Sequence, residues 1–326
     1  MISHESTGGG PGNPSLRILF MGTPEFAVPS LQRLLKSHHK IVAVVTVPDV
    51  PQGRGRKLQA SPVKRAALNA GLPVLQPLSL NDSEFLSQLC TFKPDLGVVV
   101  AFRILPKSVF ELPALGTVNL HASLLPKYRG AAPIQWALIN GEQVTGVTTF
   151  FIREKVDTGS MIIQRSVLVG EDETAGELHD RLAVLGAEVM EETVDLIARG
   201  EVKLQEQDNL LATAAPKITK EMCEINWKQP ARSIHNLIRA LSPEPGAYTF
   251  HEGRILKIYR THVIADEGVF GAPGTVLRAD FELHVATSPG ALSILQLQVG
   301  GRKILPVDAF LRGYSLRAGE FLGLPR

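Results

Sequence analysis

The sequence predicts an α/β protein with a Rossmann-like, mostly parallel open sheet, followed by a smaller C-terminal β-barrel (OB-like) domain. Two observations predict this fold class. Apolar runs alternate with helical patterns over the first two thirds of the 326 residues, as expected for parallel strands that are buried on both faces. After residue 221 the apolar segments become short and are broken by Gly and Pro, which is typical of an antiparallel β domain.

The elements of the first part are placed in chain order. An apolar run, LRILFM from Leu16 to Met21, ends at a glycine and predicts a buried strand. Ser61 and Pro62 are residue types preferred at the N-cap and the first position of a helix. Further strands are predicted at residues 41–47, 73–76, 96–102, 116–122 and 144–151, and helices at 26–36, 61–71, 84–92 and 174–199.

A polar, extended stretch at residues 201–221 predicts a linker. The expected domain organisation is therefore a flexible leader at residues 1–15, the Rossmann-like domain at 16–203, a linker at 204–221 and the barrel domain at 222–326. One helix is predicted at 231–241, and the strands of the barrel are predicted at 247–250, 255–263, 274–278, 283–286 and 292–298.

Composition favours a cytoplasmic protein without a metal site. The leader contains no Lys or Arg, so it has neither the basic start of a secretory signal nor the arginines of a mitochondrial presequence. No apolar run reaches ~18 residues, the length needed to cross a membrane. The two cysteines lie far apart and form no zinc-binding pattern, as in proteins of reducing compartments.

The charge distribution is uneven although the net charge is only +2. From Ala215 to Arg326 there are 14 basic and 10 acidic residues, whereas the preceding part carries 20 and 22. A glycine-hinged loop, PQGRGRK, adds Arg54, Arg56 and Lys57. Such a loop has the chemistry to fit a phosphate backbone, but ordinary solvated charges remain the alternative on charge alone.

Two common nucleotide-binding motifs are absent after the first predicted strand. The sequence there reads MGTPEFAVP, with a single glycine. A dinucleotide site needs Gly-x-Gly-x-x-Gly at this position, and a P-loop ends in Gly-Lys-Ser/Thr. The ligand of the predicted sheet is therefore expected to be neither NAD nor ATP.

Asn119 and His121 stand at the end of a predicted strand, in TVNLHASLLPKYRG. Residues two apart on a strand point to the same face, and open α/β sheets bind ligands at the carboxyl ends of their strands. Asn is a poor strand former, so its presence needs a reason. A functional reason would be that Asn119 and His121 donate hydrogen bonds to the same oxygen of a ligand. The alternative is that Asn119 only caps the strand end and His121 is a structural residue.

Asp157 precedes Thr158 and Gly159 in a turn that follows the predicted strand at 144–151. As a functional interpretation, its carboxylate orients or protonates His121. The alternative interpretation is an aspartate that only stabilises an Asx turn. Sequence alone gives no distance between the two side chains.

Seven segments of the chain occur together in one order. They are GTPEFAVPSL, QGRGRKLQASPVK, NLHASLLPKYRGAAPIQWALINGE, TGVTTFFI, VDTGSMI, APKITKE and HNLIRALSPEPGAY. The set Asn-x-His, Ser-Leu-Leu-Pro and Asp-Thr-Gly alone resembles the wider family of enzymes that use 10-formyltetrahydrofolate. With all seven segments, the chain resembles the methionyl-tRNA formyltransferases across nearly its whole length after residue 16.

The resemblance implies that the formyl group of 10-formyltetrahydrofolate passes to the α-amino group of methionine on initiator tRNA. It implies a formyltransferase-type sheet, a C-terminal barrel that offers a second tRNA surface, and a monomer. It assigns catalysis to Asn119, His121 and Asp157, with no metal. It also assigns the folate site to Ser123, Leu124, Leu125 and Pro126, and the loop that enters the tRNA acceptor end to Arg54, Arg56 and Lys57.

The sequence departs from the family pattern at two places. After the third long strand the family pattern is Ala-Tyr-Gly-x-Ile/Leu-Leu-Pro, but residues 101–106 read AFRILP, one residue shorter and without the glycine. This strand end borders the folate pocket in the family, so the pterin contacts there are expected to differ. The second departure is Ser242, where the family pattern has Asn before the first proline.

Two other functions are kept as alternatives. A sugar-nucleotide or purine-precursor formyltransferase, or a formyl-folate hydrolase, would carry the same three catalytic residues, but it would not need the basic loop and a basic β domain. An RNA-binding protein that has lost catalysis would keep the basic surfaces, but it would not need all three catalytic positions to be filled.

Overall fold

The computed structural model describes residues 14–52 and 57–323. They form two compact units, each assembled from separate stretches of chain. The first unit takes in the chain up to His121, then Val147–Arg165 and Ala183–Asn209; the second takes in Ala122–Gly146, Ser166–Leu182 and the chain from Leu210 on. The predicted domain boundaries along the sequence stay a prediction.

The strands are numbered in chain order. They are β1 (Arg17–Gly22), β2 (Lys40–Val45), β3 (Val50–Gln52), β4 (Lys57–Gln59), β5 (Val74–Leu75), β6 (Leu96–Val100), β7 (Thr117–His121), β8 (Arg129–Gly130), β9 (Val144–Phe151), β10 (Met161–Leu168), β11 (Ala214–Ala215), β12 (Ala247–His251), β13 (Arg254–Ala265), β14 (Val276–Ala279), β15 (Leu283–Ala286), β16 (Ala291–Val299) and β17 (Leu305–Pro306).

The helices are numbered in the same way, with short 3₁₀ turns at Glu25–Ala27, Asn209–Leu211 and Glu221–Cys223. They are α1 (Val28–Lys36), α2 (Pro62–Asn69), α3 (Ser83–Thr91), α4 (Lys107–Phe110), α5 (Pro133–Ile139), α6 (Ala175–Arg199), α7 (Ala231–Ala240) and α8 (Val307–Gly313).

The predicted mostly parallel α/β sheet is confirmed. It has seven strands in the order β10-β9-β7-β6-β1-β2-β5. The five strands from β5 to β7 run parallel, and β9 pairs antiparallel with β7. The strand order reverses between β1 and β6, which is where sheets of this type form a ligand crevice at their carboxyl ends.

Local sequence explains how the main helices begin. The Ser61 hydroxyl accepts a hydrogen bond from the backbone N–H of Lys64 at 3.0 Å, so the predicted N-cap of α2 is confirmed. Thr174 precedes α6, and its hydroxyl accepts from the N–H of Glu177 while the Glu177 carboxylate accepts from the N–H of Thr174. This reciprocal pair satisfies two N–H groups that have no partner within the helix.

The second unit contains the predicted antiparallel β domain. Its strands follow the path β12-β13-β16-β15-β14, and β17 pairs with β16. Residues 322 and 323 link β14 and β12, the two end strands of this path. The N–H of Leu322 donates to the carbonyl of Gly274, next to β14, and the N–H of Gly323 donates to the carbonyl of Phe250 in β12. The sheet thereby curls around a core that includes Ile234, Ile258, Leu283, Leu292 and Leu297.

Within residues 14–52 and 57–323, no helix has both the length and the apolar character that a membrane span requires.

Candidate functional site

Strand β7 carries Asn119 and His121 between β6 and β9. The backbone of Asn119 lies opposite Val99 of β6 and Phe150 of β9. The two polar residues are two positions apart, so their side chains extend to the same side of the sheet. Asn119 is half-buried, and His121 is only 6% exposed. A buried imidazole at a strand's carboxyl end is thus held close to a partly open amide.

Asp157 lies in the loop between β9 and β10 and approaches His121. Its Oδ2 atom is 3.9 Å from Nδ1 of His121, and both side chains are largely buried. The Asp157 backbone has φ +54°, a left-handed conformation that Asp and Asn adopt more readily than most residues. A separation of 3.9 Å is longer than a hydrogen bond, but catalytic contacts often shorten only when substrate binds.

A cavity of about 110 Å³ opens beside these residues. Asn119 and Asp157 both contribute to its wall, so two of the three predicted catalytic residues face one space. The rest of the wall is mainly apolar and includes four consecutive residues of the segment that departs from the family pattern. The lining residues are Val99, Phe102, Arg103, Ile104, Leu105, Asn119, Phe150, Ile152, Arg153, Glu154, Val156 and Asp157.

The shortened segment is held by Arg103. Its guanidinium donates to the carbonyls of Pro77 and Leu78 at 3.0 and 3.1 Å and lies over the Phe102 ring. Burial lowers the pKa of Arg103 from its usual value. Ala101, which begins the segment, has φ +48°, a left-handed backbone conformation that is uncommon for residues other than glycine. The segment that departs from the family pattern therefore forms part of the cavity wall.

Gln207 positions the Asp157 loop, and sequence reasoning missed it because it lies in the stretch predicted as a linker. The buried Gln207 amide donates from Nε2 to the carbonyls of Asp157 and Gly159 at 2.9 and 2.8 Å. The neighbouring Gln205 exchanges two backbone hydrogen bonds with Met161. The segment after α6 is thus docked along the loop, and no local pattern in the sequence signals such a contact.

We expect Gln207→Leu to lower kcat by more than tenfold while leaving KM values within about threefold. The substitution removes both side-chain hydrogen bonds to the two carbonyls, and a buried carbonyl that loses its donor costs about 1–3 kcal/mol. The Asp157 loop then shifts, and small misplacements of catalytic groups reduce rates strongly. Steady-state kinetics and urea unfolding measure the two effects. A Gln205→Leu variant, whose backbone bonds remain, is the control; equal kcat values for the two variants would contradict the positioning role.

The residues predicted to bind folate follow β7 and belong to the second compact unit. Ser123 is fully buried, and its hydroxyl donates to the carbonyl of Lys127 at 2.7 Å. Leu125 is buried and precedes a cis peptide bond to Pro126, while Leu124 is half-buried. Their contact with folate stays a prediction.

The basic loop lies between two short strands of the first unit. β3 and β4 pair antiparallel, with Gln52 opposite Lys57. Arg54 and Arg56 lie outside the described residues. Their role toward tRNA, and that of Lys57, stay predictions.

One group of side chains within the described part of the chain has the spacing of a metal site. Ligand atoms of His38, His39 and Asp195 lie within 4.8 Å of one another. Nδ1 of His39 accepts from the N–H of Leu16 at 3.1 Å, so a neutral ring carries its proton on Nε2, which lies 2.9 Å from Asp195. Burial lowers the pKa of His39 and favours this neutral form. We therefore interpret these side chains as a structural group in which His39 links Leu16 to Asp195 by hydrogen bonds. That the protein uses no metal ion stays a prediction.

Comparison with known proteins finds matches to two family models along the chain. Residues 16–194 match the family model described as "Formyl transferase", and residues 217–315 match "Formyl transferase, C-terminal domain". A methionyl-tRNA formyltransferase of Caldanaerobacter subterraneus subsp. tengcongensis is 48% identical over 309 residues, which cover 94% of this chain and 100% of the relative. A methionyl-tRNA formyltransferase of Moorella thermoacetica is 48% identical over 310 residues, which cover 94% of this chain and 99% of the relative.

Among solved structures, HypX from Aquifex aeolicus in complex with tetrahydrofolic acid aligns with a TM-score of 0.63 and 20% identity, covering 91% of this chain and 47% of HypX. At that identity the likeness concerns the fold alone. The family model for the first domain spans more than half of the chain, and the relatives are similar over nearly their full length. The chain therefore belongs to the formyl transferase family.

Proposed function

We propose that the chain transfers the formyl group of 10-formyltetrahydrofolate to the α-amino group of methionyl initiator tRNA. The observation that carries this proposal is the buried His121–Asp157 pair, 3.9 Å apart, with Asn119 and Asp157 on one cavity wall. The name of relatives that are 46–48% identical over 94% of the chain supports the tRNA substrate. Tetrahydrofolic acid in the HypX complex supports a folate-type donor.

The first step is attack of the amine on the formyl carbon, which puts a negative charge on the formyl oxygen. We assign the Asn119 amide and Nε2 of a protonated His121 as donors to that oxygen, since Nδ1 of the ring faces Asp157. Donors that are fixed before the reaction stabilise such an oxyanion without reorganising, and loss of one typically costs ~10²–10³ in rate.

The second step moves a proton. The attacking nitrogen gains positive charge and must lose a proton before the intermediate collapses, while the folate nitrogen must gain one to leave. Asp157 lies beside His121 and on the cavity wall, so its carboxylate has the position to hold the imidazolium and to relay that proton. The bond from the formyl carbon to the folate nitrogen then breaks, and the new amide is formed.

The remaining residues complete the proposal by resemblance. Ser123, Leu124, Leu125 and Pro126 would line the folate site, and the loop with Arg54, Arg56 and Lys57 would enter the tRNA acceptor end. The excess of basic residues after Ala215 supports a second tRNA surface on the β domain. We extend the proposal to a cytoplasmic monomer that uses no metal ion.

The direct test is formyl transfer from 10-formyltetrahydrofolate with methionyl initiator tRNA, uncharged tRNA and an amino-sugar nucleotide assayed in parallel. We expect formyl-methionine on the charged tRNA only. Folate turnover that is equal without any tRNA would make the protein a hydrolase, and turnover with the amino sugar would make it a sugar formyltransferase. Binding of tRNA without any folate turnover would leave an RNA-binding protein that has lost catalysis.

A further inference from the structure

The β12–β13 hairpin of the second unit presents an outward face that the proposed reaction does not use. Tyr248 and Phe250 alternate along β12, and their direct cross-strand partners on β13 are Lys257 and Ile255. Directly paired residues of an antiparallel ladder lie on the same side of the sheet. Ile255 is 42% exposed, and the other three residues are half-buried. We call these four residues the hairpin face.

A groove of about 350 Å³ runs over the hairpin face, and Ile218, Lys220 and Cys223 form part of its other wall. The Tyr248 and Phe250 rings stand edge to face with centroids 5.7 Å apart, so each ring keeps a face that the other does not cover. Most of the described groove wall is apolar, and no acidic side chain lines it. Parts of both aromatic rings therefore line the groove and can contact a flat aromatic partner.

The charged side chains that line the groove are the two cations Lys220 and Lys257. The Lys257 ammonium donates to the carbonyl of Pro245 at 2.7 Å, and Lys220 is exposed. Within the described part of the chain, neither lysine has a carboxylate within 4.0 Å. Burial raises the pKa of the Cys223 thiol, which donates to the carbonyl of Thr219, so thiolate chemistry is not what the groove offers.

We propose that the hairpin face binds an unpaired nucleotide of an RNA, with the base stacked on the face of one of the two perpendicular rings, Tyr248 or Phe250, against the edge of the other, and its phosphate near Lys257 and Lys220. This inference rests on the proposed tRNA substrate and names a nucleotide subsite for it. Sheets that bind single-stranded RNA use the same elements, namely exposed aromatic rings on a strand and cations that neutralise the backbone. An apolar protein partner would bury both lysines without supplying a counter-charge, which disfavours it.

The test compares two variants of the whole chain. Tyr248→Leu/Phe250→Leu keeps apolar volume but removes both ring faces. Phe281→Leu is the matched control, because Phe281 is 64% exposed in the tight turn between β14 and β15, where the Arg278 guanidinium lies over its ring. We expect the double variant to raise the Kd for methionyl-tRNA by about 5- to 100-fold, the range for one stacked base. The control and the KM for the formyl donor should stay within twofold of wild type.

Photocrosslinking then identifies the occupant. Initiator tRNA that carries 5-iodouridine at unpaired positions should crosslink to the peptide containing Tyr248 and Phe250, and the yield should fall for Lys257→Gln. An unchanged Kd for the double variant, or crosslinks that avoid this peptide, would overturn the inference. So would self-association of the wild-type chain that the double variant abolishes, since a second copy would then cover the face.

Failure of this inference and failure of the proposed function have different signatures. If the wild-type chain formylates methionyl-tRNA and the double variant binds tRNA normally, only the stacking subsite is refuted. If the wild-type chain binds tRNA but transfers no formyl group, the proposed activity fails while the binding and crosslinking results still decide the subsite. If it binds no tRNA at all, both fail together.

Discussion

Asp157→Asn should lower kcat by about 10²- to 10⁴-fold, the usual contribution of a positioned acid–base group. The change removes the carboxylate charge beside His121 and keeps nearly the same side-chain volume. It also suits the backbone, because Asp157 has φ +54° and Asn tolerates that region as well as Asp does. The loop is therefore expected to stay in place, and the loss reports the charge rather than the fold.

The measurement is single-turnover formyl transfer with methionyl-tRNA, together with the Kd for tRNA and the urea unfolding curve. We expect tRNA affinity and the free energy of unfolding to match the wild type. Asp308→Asn serves as a control for a carboxylate that is paired with Arg312 on the surface of the second unit. A kcat for Asp157→Asn within threefold of this control would remove Asp157 from the proton transfer.

The parts of the fold that the sequence predicted are those with a strong local signal. The strand β9 occurs at the predicted residues, and α6 begins one residue after the predicted start because Thr174 and Glu177 form its capping pair. Asn119 and His121 were also found by a local rule, since the two-residue period of a strand puts them on one side. Such features depend on a few neighbours in the chain.

The strand β10 was missed because its residues carry no useful periodicity. It lies at the edge of the large sheet, and five of its eight residues, Gln164, Arg165, Ser166, Val167 and Leu168, have mixed polarity, with little of the segment fully buried. Edge strands need bury neither face completely, so alternation of apolar and polar residues is lost. The helix α5 was also missed. It has only seven residues and no side-chain cap at its start, so the sequence carries little local signal for a helix there.

The positioning of Asp157 lies beyond local sequence patterns altogether. Gln207 is 50 residues away from Asp157 along the chain, in a polar stretch that predicts a linker. Its partners are backbone carbonyls, which every residue has, so no pair of residue types signals the contact. The three predicted catalytic positions follow from the motif, but the hydrogen bonds that hold the loop appear only in three dimensions.

Gly159→Ala should damage the same loop from its other end. A methyl group at Gly159 would overlap the carbonyl oxygen of Phe151 and lie 3.0 Å from the ring of Phe150, which lines the cavity. A backbone oxygen cannot move away as a flexible side chain can, so the loop must shift relative to β9. We expect the free energy of unfolding to fall by about 3 kcal/mol, the upper end for overpacking in a core.

The same shift should reduce kcat by at least about 10²-fold, because a displacement near 1 Å at a catalytic group has that effect. Asp157 lies two residues before Gly159, and Gln207 binds the carbonyls of both, so the loop moves as one piece. Gly313→Ala is the matched control, since a methyl group there meets no atom within 4 Å. Urea unfolding and single-turnover transfer test both variants. Wild-type stability and turnover for Gly159→Ala would mean that Asp157 does not depend on this tight contact, and the glycine of the Asp-Thr-Gly motif would then need another explanation.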